Sequence, residues 1–425
     1  MIRCVLHIGT TKTGSSSIQR SCFAQRAQLA ESGIAYFDWR ENHSYLHAAF
    51  HANVEEYRLL RIMGYATPAV RRAFADDALA WLETFLAKPE PAVKVISGEG
   101  IADFAPGEVA ALQACLARHC AEIDVIVYVR DPLGYANSQA QQHVRGGMTF
   151  AQIRTDTLAP APGSPAAASL RPNYRRRIEK FQAAFGADRV LIRPFRRDRL
   201  AGGDVVEDFL HTAFGRDAAS LGIRAMRVNE ALDHTAVLCL EAINRTAPPL
   251  IDGALNPERA RTLVSALRQT TTDSPFRMPD FDWPRFVDAV ASDVAWLAET
   301  TGGAIDFSQI TALAEDPAAI DLTTLAGLLN TRLRALEKAR PEARTLAYLV
   351  RLLLGREQAV SHLNEVIPHL SDPTLMLPLA RLFIETGYPE LARQVLAQSE
   401  ALVDPESPER MRLNRLAARL DQSRT

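Results

Sequence analysis

A short apolar run, Val5-Leu6-His7-Ile8, stops at Gly9 and gives way to Thr10-Thr11-Lys12-Thr13-Gly14-Ser15-Ser16-Ser17. Ile18, Cys22 and Leu29 then recur at helical spacing. A strand, a tight loop of small residues and a helix in that order constrain this chain more than any other feature. The first N–H groups of such a helix lack intrahelical partners and point outward with the positive end of the dipole. They form a ready site for a phosphate or sulfate group. Gly14 permits close approach of the backbone, the three serines add hydroxyls, and Lys12 adds a mobile full charge. The alternative for a Ser/Thr-rich turn is simple helix capping.

The first third of the chain repeats this alternation. Gly33 supplies a helix stop, and Ile34 to Phe37 reads as a second strand. Ala92 to Ser97, Asp124 to Arg130 and Arg189 to Phe195 are further apolar runs, of the kind found in strands covered on both faces. The fold class expected is therefore α/β, a parallel sheet flanked by helices. Composition agrees, with 47% apolar and 23% charged residues, the globular average rather than the signature of disorder. A formal net charge of −2 argues against a nucleic-acid partner, which demands basic excess. No run approaches the length of a membrane span. The N-terminus lacks the apolar region of a signal peptide. The five cysteines (Cys4, Cys22, Cys115, Cys120, Cys239) form neither CxxC pairs nor zinc spacings. Reduced, buried thiols in a cytoplasmic protein are the expectation.

The stretch from Ala159 to Pro165, continuing to Pro172, is rich in proline and reads as a surface loop inside the first domain, with a flap over a site as the alternative. After about residue 310 only helical patterning is visible. Gly355 and Gly387, Leu370 and Leu402, and Asp372-Pro373 and Asp404-Pro405 repeat at a period of 32, near the 34 of tetratricopeptide (TPR) hairpins. The expected division is residues 1–305 as the α/β domain and residues 310–425 as an all-α, TPR-like helical-hairpin region. That region would pack on the first domain, on a second copy as a homodimer, or on a protein partner.

In a Walker A loop, Lys directly follows the second Gly and a hydroxyl is placed for Mg²⁺. Here Lys12 precedes Gly14, so the lysine reaches an anion from the other side and no hydroxyl takes the metal position. This order weakens a kinase reading. Lys12 to Ser17, as K-T-G-S-S-S, resembles the 5′-phosphosulfate loop of the sulfotransferases that use 3′-phosphoadenosine 5′-phosphosulfate (PAPS), especially their bacterial carbohydrate-type branch. Their second signature, an Arg at a strand end and a Ser eight residues on, is matched by Arg130 and Ser138. The resemblance covers about residues 1 to 300, including Val190 to Asp198, Gly202-Gly203-Asp204 and Val228 to Leu232. It departs in two places. The R-K-G-x-x-G loop of the small-molecule branch is missing, and the Arg often found between the two signature residues is Tyr135.

The resemblance implies a P-loop-type core, PAPS as the sulfuryl donor, no metal requirement, and an acceptor hydroxyl on a saccharide or glycolipid. It implies that Lys12, Thr13, Gly14, Ser15, Ser16 and Ser17 hold the 5′ end, and that Arg130 and Ser138 hold the 3′-phosphate. Lys12 would stabilise the leaving group. Glu99, just beyond the strand Val93 to Ile96, falls where relatives place a base, although a Glu after a strand is more often a solvated residue or a cap. His43, His47 and His51, spaced by four, share a face if helical, and one of them is the rival base. No Glu follows His43 in the manner of a zincin, so no metal site is expected. His7 reads as a core histidine, and Arg175-Arg176-Arg177 as a solvated face or an attractor for an anionic acceptor. For Arg130 the bland alternative is an ion pair with Asp131 or Glu122. The rival functions are a P-loop kinase, which would need ATP and Mg²⁺, and a non-catalytic nucleotide-binding scaffold.

Overall fold

In the computed structural model the described residues are 1–159, 169–228, 276–308, 376–385, 388–405 and 407–422, with shorter pieces at 232, 234–246, 248–251, 254–255, 363 and 367–369. They divide into two compact units. The first comprises Met1–Gln142, Ala151–Ala231 and Asp280–Ala314, and the second His143–Phe150, Leu232–Pro279 and Glu315–Thr425.

The first unit holds a five-stranded parallel sheet flanked by helices. Its strands are β1 (Arg3–Gly9), β2 (Ile34–Tyr36), β3 (Val93–Glu99), β4 (Glu122–Val129) and β5 (Val190–Pro194), in the order β2-β3-β1-β4-β5. The strand register pairs Gly9 with Glu99, and His7 with Ser97 and Ile126. Every expected strand is present, within two residues of its expected ends. Cys4, Val5, Leu6 and Ile8 of β1, and Val125 to Val129 of β4, are buried, as a sheet covered on both faces requires.

After β1 the chain turns toward β2 on one side of the sheet, and after β4 toward β5 on the other. The carboxyl ends of β1 and β4 therefore flank the point where the winding direction reverses, the place where open α/β sheets form a ligand crevice. The loop around Lys12 follows β1 and Arg130 follows β4.

The helix after the loop, α1 (Ser15–Ala24), buries Ile18 and Cys22, and a second short helix, α2 (Arg26–Glu31), buries Leu29. Gly33 at φ 82 ends it, the left-handed geometry that glycine adopts without a Cβ penalty. Two turns of 3₁₀ helix and two short helices, α3 (Leu46–Phe50) and α4 (Arg58–Ile62), lead to α5 (Pro68–Ala87). Thr67 caps α5 by accepting from Val70 N at 3.3 Å, and Pro68 opens it where no donor is needed. Helix α6 (Pro106–Ala117) connects β3 to β4. Helices α7 (Pro132–Arg145), α8 (Phe150–Leu158) and α9 (Tyr174–Phe185) lead from β4 to β5, and α10 (Val205–Phe214) follows β5.

Cys4, Cys22, Cys115 and Cys120 are buried free thiols. Of the proline-rich stretch, residues 160–168 lie outside the described residues. So do Asn229 to Ala231, and residues 309–362, which contain the expected boundary near 310 and Gly355. Leu370, Asp372-Pro373 and Gly387 of the repeat also lie outside. What is described of the C-terminal region is helical. Met376–Glu385, Pro389–Leu402 and Pro408–Gln422 pack around Leu379, Phe383, Leu391, Val395 and Leu413. Among the described residues no helix is long and apolar enough to cross a membrane.

Candidate functional site

The loop after β1 holds its shape through its own residues. The Thr10 hydroxyl donates to the Tyr128 carbonyl of β4 at 2.5 Å, fastening the loop to the neighbouring strand. The Thr13 hydroxyl donates to Thr10 O at 2.7 Å, and the Ser15 hydroxyl to the same oxygen at 3.2 Å. Lys12 and Gly14 both have positive φ, 67° and 79°. A lysine held there is a local strain of the kind that concentrates at functional sites. A Cβ on Gly14 would lie 2.7 Å from Val205 Cγ1 and 2.9 Å from Phe195, so glycine is required by close packing as well as by conformation.

Gly14 is the residue before α1, and no side chain caps this helix. Its leading N–H groups keep the character of an anion site. The loop hydroxyls divide in two. Thr13, Ser15 and Ser17 are buried and bond within the protein, Ser17 Oγ accepting from Val228 N at 3.1 Å. Lys12 and Ser16 are half-buried. Lys12 and Ser16 are thus the more exposed of these side chains at the helix start, while the Thr13 and Ser15 hydroxyls shape the turn.

Arg130 meets the loop from β4. Its Nη1 lies 3.5 Å from Lys12 O, its guanidinium 6.0 Å from the ring of Phe195, and its Nε 3.9 Å from Asp131. Burial lowers its pKa. Asp131 is chiefly engaged in opening α7, where its Oδ1 accepts from Gly134 N at 2.6 Å. Glu122, the other suggested ion-pair partner, lies against Arg189. A Cβ at Gly134 would sit 2.5 Å from Asp131 Oδ2 and 2.7 Å from Arg130 Nε. Gly134 therefore makes room for the guanidinium. Ser138 lies half-buried, two turns into α7.

Tyr135 and Arg177, which the sequence alone does not pair, complete this end of the sheet. Tyr135 is buried, and its hydroxyl accepts from Arg177 Nη1 at 2.8 Å and lies 3.5 Å from Thr11 Oγ1. Arg177 also binds Asp103 at 2.9 Å and Pro172 O at 2.9 Å. A positive charge from α9 is thus brought beside Tyr135 of α7. In the sequence it was hidden within Arg175-Arg176-Arg177, read as one face. Arg175 is exposed and pairs with Glu179, whereas the Arg177 side chain is 13% exposed.

Glu99 closes β3 beside Gly9, and a Cβ on Gly9 would meet Glu99 Cγ at 3.3 Å. Its backbone N–H donates to Asn42 Oδ1 at 3.1 Å. The structure therefore brings Glu99 to the mouth of the Lys12 loop.

Of the three histidines, His47 and His51 lie side by side, their ring centroids 5.1 Å apart, and His43 does not join them. His43 lies in a 3₁₀ turn, fully buried, with Nε2 donating to Phe37 O at 2.8 Å and Nδ1 accepting from Ser97 N at 2.8 Å. Burial holds its pKa at about 4. With both nitrogens engaged, it is a structural residue. His7 is buried as expected, 2.7 Å from Ser97 Oγ, and burial lowers its pKa to about 3. His47 lies on α3 and His51 at its C-terminal end. His47 Nε2 is 3.0 Å from Glu108 Oε2 of α6, and Nδ1 is 3.0 Å from the Tyr57 hydroxyl. The carboxylate for this pair comes from 61 residues away, so no local motif announces it.

The fold and this geometry define an α/β chain in which a strand–loop–helix turn with no side-chain cap stands at the switch point of its sheet. No protein-family model and no curated protein matches the chain. Among solved structures it is similar to a crystal structure of a sulfotransferase from Alicyclobacillus acidocaldarius. The identity is 16% and the TM-score 0.32, over 62% of this chain and 98% of that one.

Proposed function

We propose that the chain is a sulfotransferase that moves a sulfuryl group from PAPS to an acceptor hydroxyl on a carbohydrate or glycolipid. The observation that carries this reading is the meeting of two separate motifs. K-T-G-S-S-S after β1 and R-x₇-S after β4 converge, with Arg130 Nη1 3.5 Å from Lys12 O. The residues suit a doubly anionic nucleotide. The start of α1 has no side-chain cap, and the carboxylate beside Arg130 stands at 3.9 Å, too far for a tight pair.

Lys12, Ser16 and the backbone of Thr13, Gly14, Ser15 and Ser17 would hold the 5′-phosphosulfate. Arg130, through its planar fork, and Ser138 would hold the 3′-phosphate. When bound, the donor supplies an activated sulfuryl group and a phosphate leaving group. Lys12 then offsets the charge that grows on the departing phosphate oxygen, a role analogous to the cationic clamps of phosphoryl transfer. Glu99, at the mouth of the loop, accepts the proton of the acceptor hydroxyl as its oxygen attacks sulfur. No step assigned to these residues calls for Mg²⁺. In this reading residues 1–305 bind donor and acceptor, and residues 310–425 dock a protein partner or a second copy.

Thermal-shift titration with adenosine 3′,5′-bisphosphate and with ATP–Mg²⁺ tests the proposal. A ligand that binds only the folded state adds about 2.7 kcal/mol at 100 times its Kd. The expected outcome is a rise with the bisphosphate that persists in EDTA and shrinks in Arg130→Ala. A response to ATP–Mg²⁺ alone would replace this reading with a kinase, and no response to either would overturn it.

A further inference from the structure

Away from the Lys12 loop, His47, His51 and Glu108 place one donor atom each within 4.8 Å of one another. We propose that these three residues bind a zinc-class divalent cation, leaving one coordination position open. Two imidazoles and a carboxylate suit a borderline transition ion rather than Mg²⁺ or Ca²⁺, which favour all-oxygen sites. The inference stands apart from the sulfotransferase reading and uses none of its residues.

One pair of donor atoms already has nearly the spacing of a formed site. Zinc–ligand bonds of about 2.0–2.1 Å at tetrahedral angles set neighbouring donor atoms about 3.3 Å apart. His47 Nε2 and Glu108 Oε2 are 3.0 Å apart. The surrounding groups also hold the ligands in place, as outer-shell partners do in metal sites. Glu108 Oε2 accepts from Ala105 N at 2.7 Å, and Oε1 from Ala52 N at 3.4 Å. His47 Nδ1 faces the Tyr57 hydroxyl at 3.0 Å. On metal binding at Nε2, that nitrogen carries the proton and donates to the phenol oxygen. The His47 ring is stacked on Phe104 at 4.5 Å and meets Tyr57 edge-on at 5.0 Å. Its rotamer is therefore fixed before any ion arrives.

His51 is the adjustable ligand. Its ring centroid lies 5.1 Å from that of His47, and its Nδ1 accepts from Asn53 N at 3.1 Å. Coordination through Nε2 moves the ring proton to Nδ1 and gives up the Asn53 bond, at an exposed position where water can replace it. The ion has a route in, because the His47 and Glu108 side chains are 17% and 9% exposed and His51 is half-buried. Without metal, Glu108, His47 and Tyr57 form a hydrogen-bonded chain. The proposal therefore amounts to an exchange of the His47–Glu108 hydrogen bond for two metal bonds, with His51 swinging in.

The test is titration of the metal-free full chain with Zn²⁺ by calorimetry and with Co²⁺ by visible absorption. One equivalent should bind, with the intense d–d bands of four- or five-coordinate cobalt. His51→Ala and Glu108→Gln should each weaken binding more than about 100-fold. Tyr57→Phe, which removes only the outer partner, should weaken it by about 10–100-fold. Glu108→Gln keeps an oxygen for Ala105 N, and His51 is peripheral, so both variants should fold. Their unchanged thermal shift with adenosine 3′,5′-bisphosphate would show that the nucleotide site is intact. Absence of one-equivalent binding, or binding that persists in both variants as an adventitious surface ion, would overturn the proposal and leave the sulfotransferase reading untouched.

Discussion

The loop after β1 and the segment from Phe37 to Tyr57 both bring polar side chains to the carboxyl end of the sheet, but they are built in opposite ways. In the loop, Thr13 and Ser15 hydroxyls fold back onto Thr10 O, three and five residues away. In the segment, His43 is held by Ser97 and His47 by Glu108, partners 54 and 61 residues distant. The loop is shaped by its own backbone and presents N–H dipoles and a lysine. The segment takes its shape from β3 and α6, and gathers imidazoles beside one carboxylate. The difference predicts two kinds of sensitivity. Substitutions in the loop should alter ligand chemistry with little effect on folding, whereas substitutions in the segment should be felt first in stability.

The largest expected effect lies in the loop. Lys12→Ala should lower turnover by up to about 10³-fold, roughly 4 kcal/mol of barrier. It is measured as release of adenosine 3′,5′-bisphosphate from the donor in the presence of saccharide acceptors. Because the side chain is half-buried and its loop is fixed by the threonines, the melting temperature should hardly move. Turnover that survives the substitution would break the comparison at its strongest point, since the loop would then be only a turn between β1 and α1.

The next effect lies in the segment and is read through pH. His43 has its folded pKa depressed to about 4 by burial, against an ordinary value of about 6.5. Between those values the unfolded chain takes up a proton that the folded chain refuses, so stability falls as pH falls. From pH 8 to pH 5 this one ring should cost about 2 kcal/mol, measured by urea denaturation at the two values. His43→Gln has no ring to titrate and should flatten the profile by that amount, though from a lower starting stability. An identical slope in the variant would mean that His43 is already charged in the folded chain, contrary to its hydrogen bond from Ser97 N.

The same contrast explains what could be read from the sequence. All five strands, the helix stop at Gly33 and the strand–loop–helix geometry around Lys12 were legible, because each depends on residues adjacent in the chain. Arg130 was legible for the same reason, standing at the end of an unbroken apolar run. The histidines were not. A spacing of four suggested a shared helix face, but α3 begins only at Leu46, and His43 is drawn off to Phe37 and Ser97. That Arg177 leaves the exposed face of Arg175 is not visible in the triplet, whether it is taken as a solvated face or as an anion attractor, because its partners Tyr135 and Asp103 lie on other elements. Hydrophobic periodicity reports which face of an element is buried; it carries no information about which distant polar group a buried side chain will meet.

The smallest effect is the one that joins the two regions. Asn42 Oδ1 accepts from Ser44 N at 3.0 Å, capping the 3₁₀ turn that carries His43, and from Glu99 N at 3.1 Å. Asn42→Ala should cost about 1 kcal/mol, the usual penalty for a lost cap. Asn42→Asp, which keeps the acceptor, should cost only a few tenths. If Glu99 takes the acceptor's proton, loosening its backbone should also reduce turnover in Asn42→Ala while the affinity for adenosine 3′,5′-bisphosphate stays constant, because Asn42 holds the backbone of Ser44 and Glu99. A variant that loses the stability but keeps full turnover would show that Glu99 is a mere neighbour of the loop. The proton would then have to be taken by another group, with His47 the nearest rival in kind.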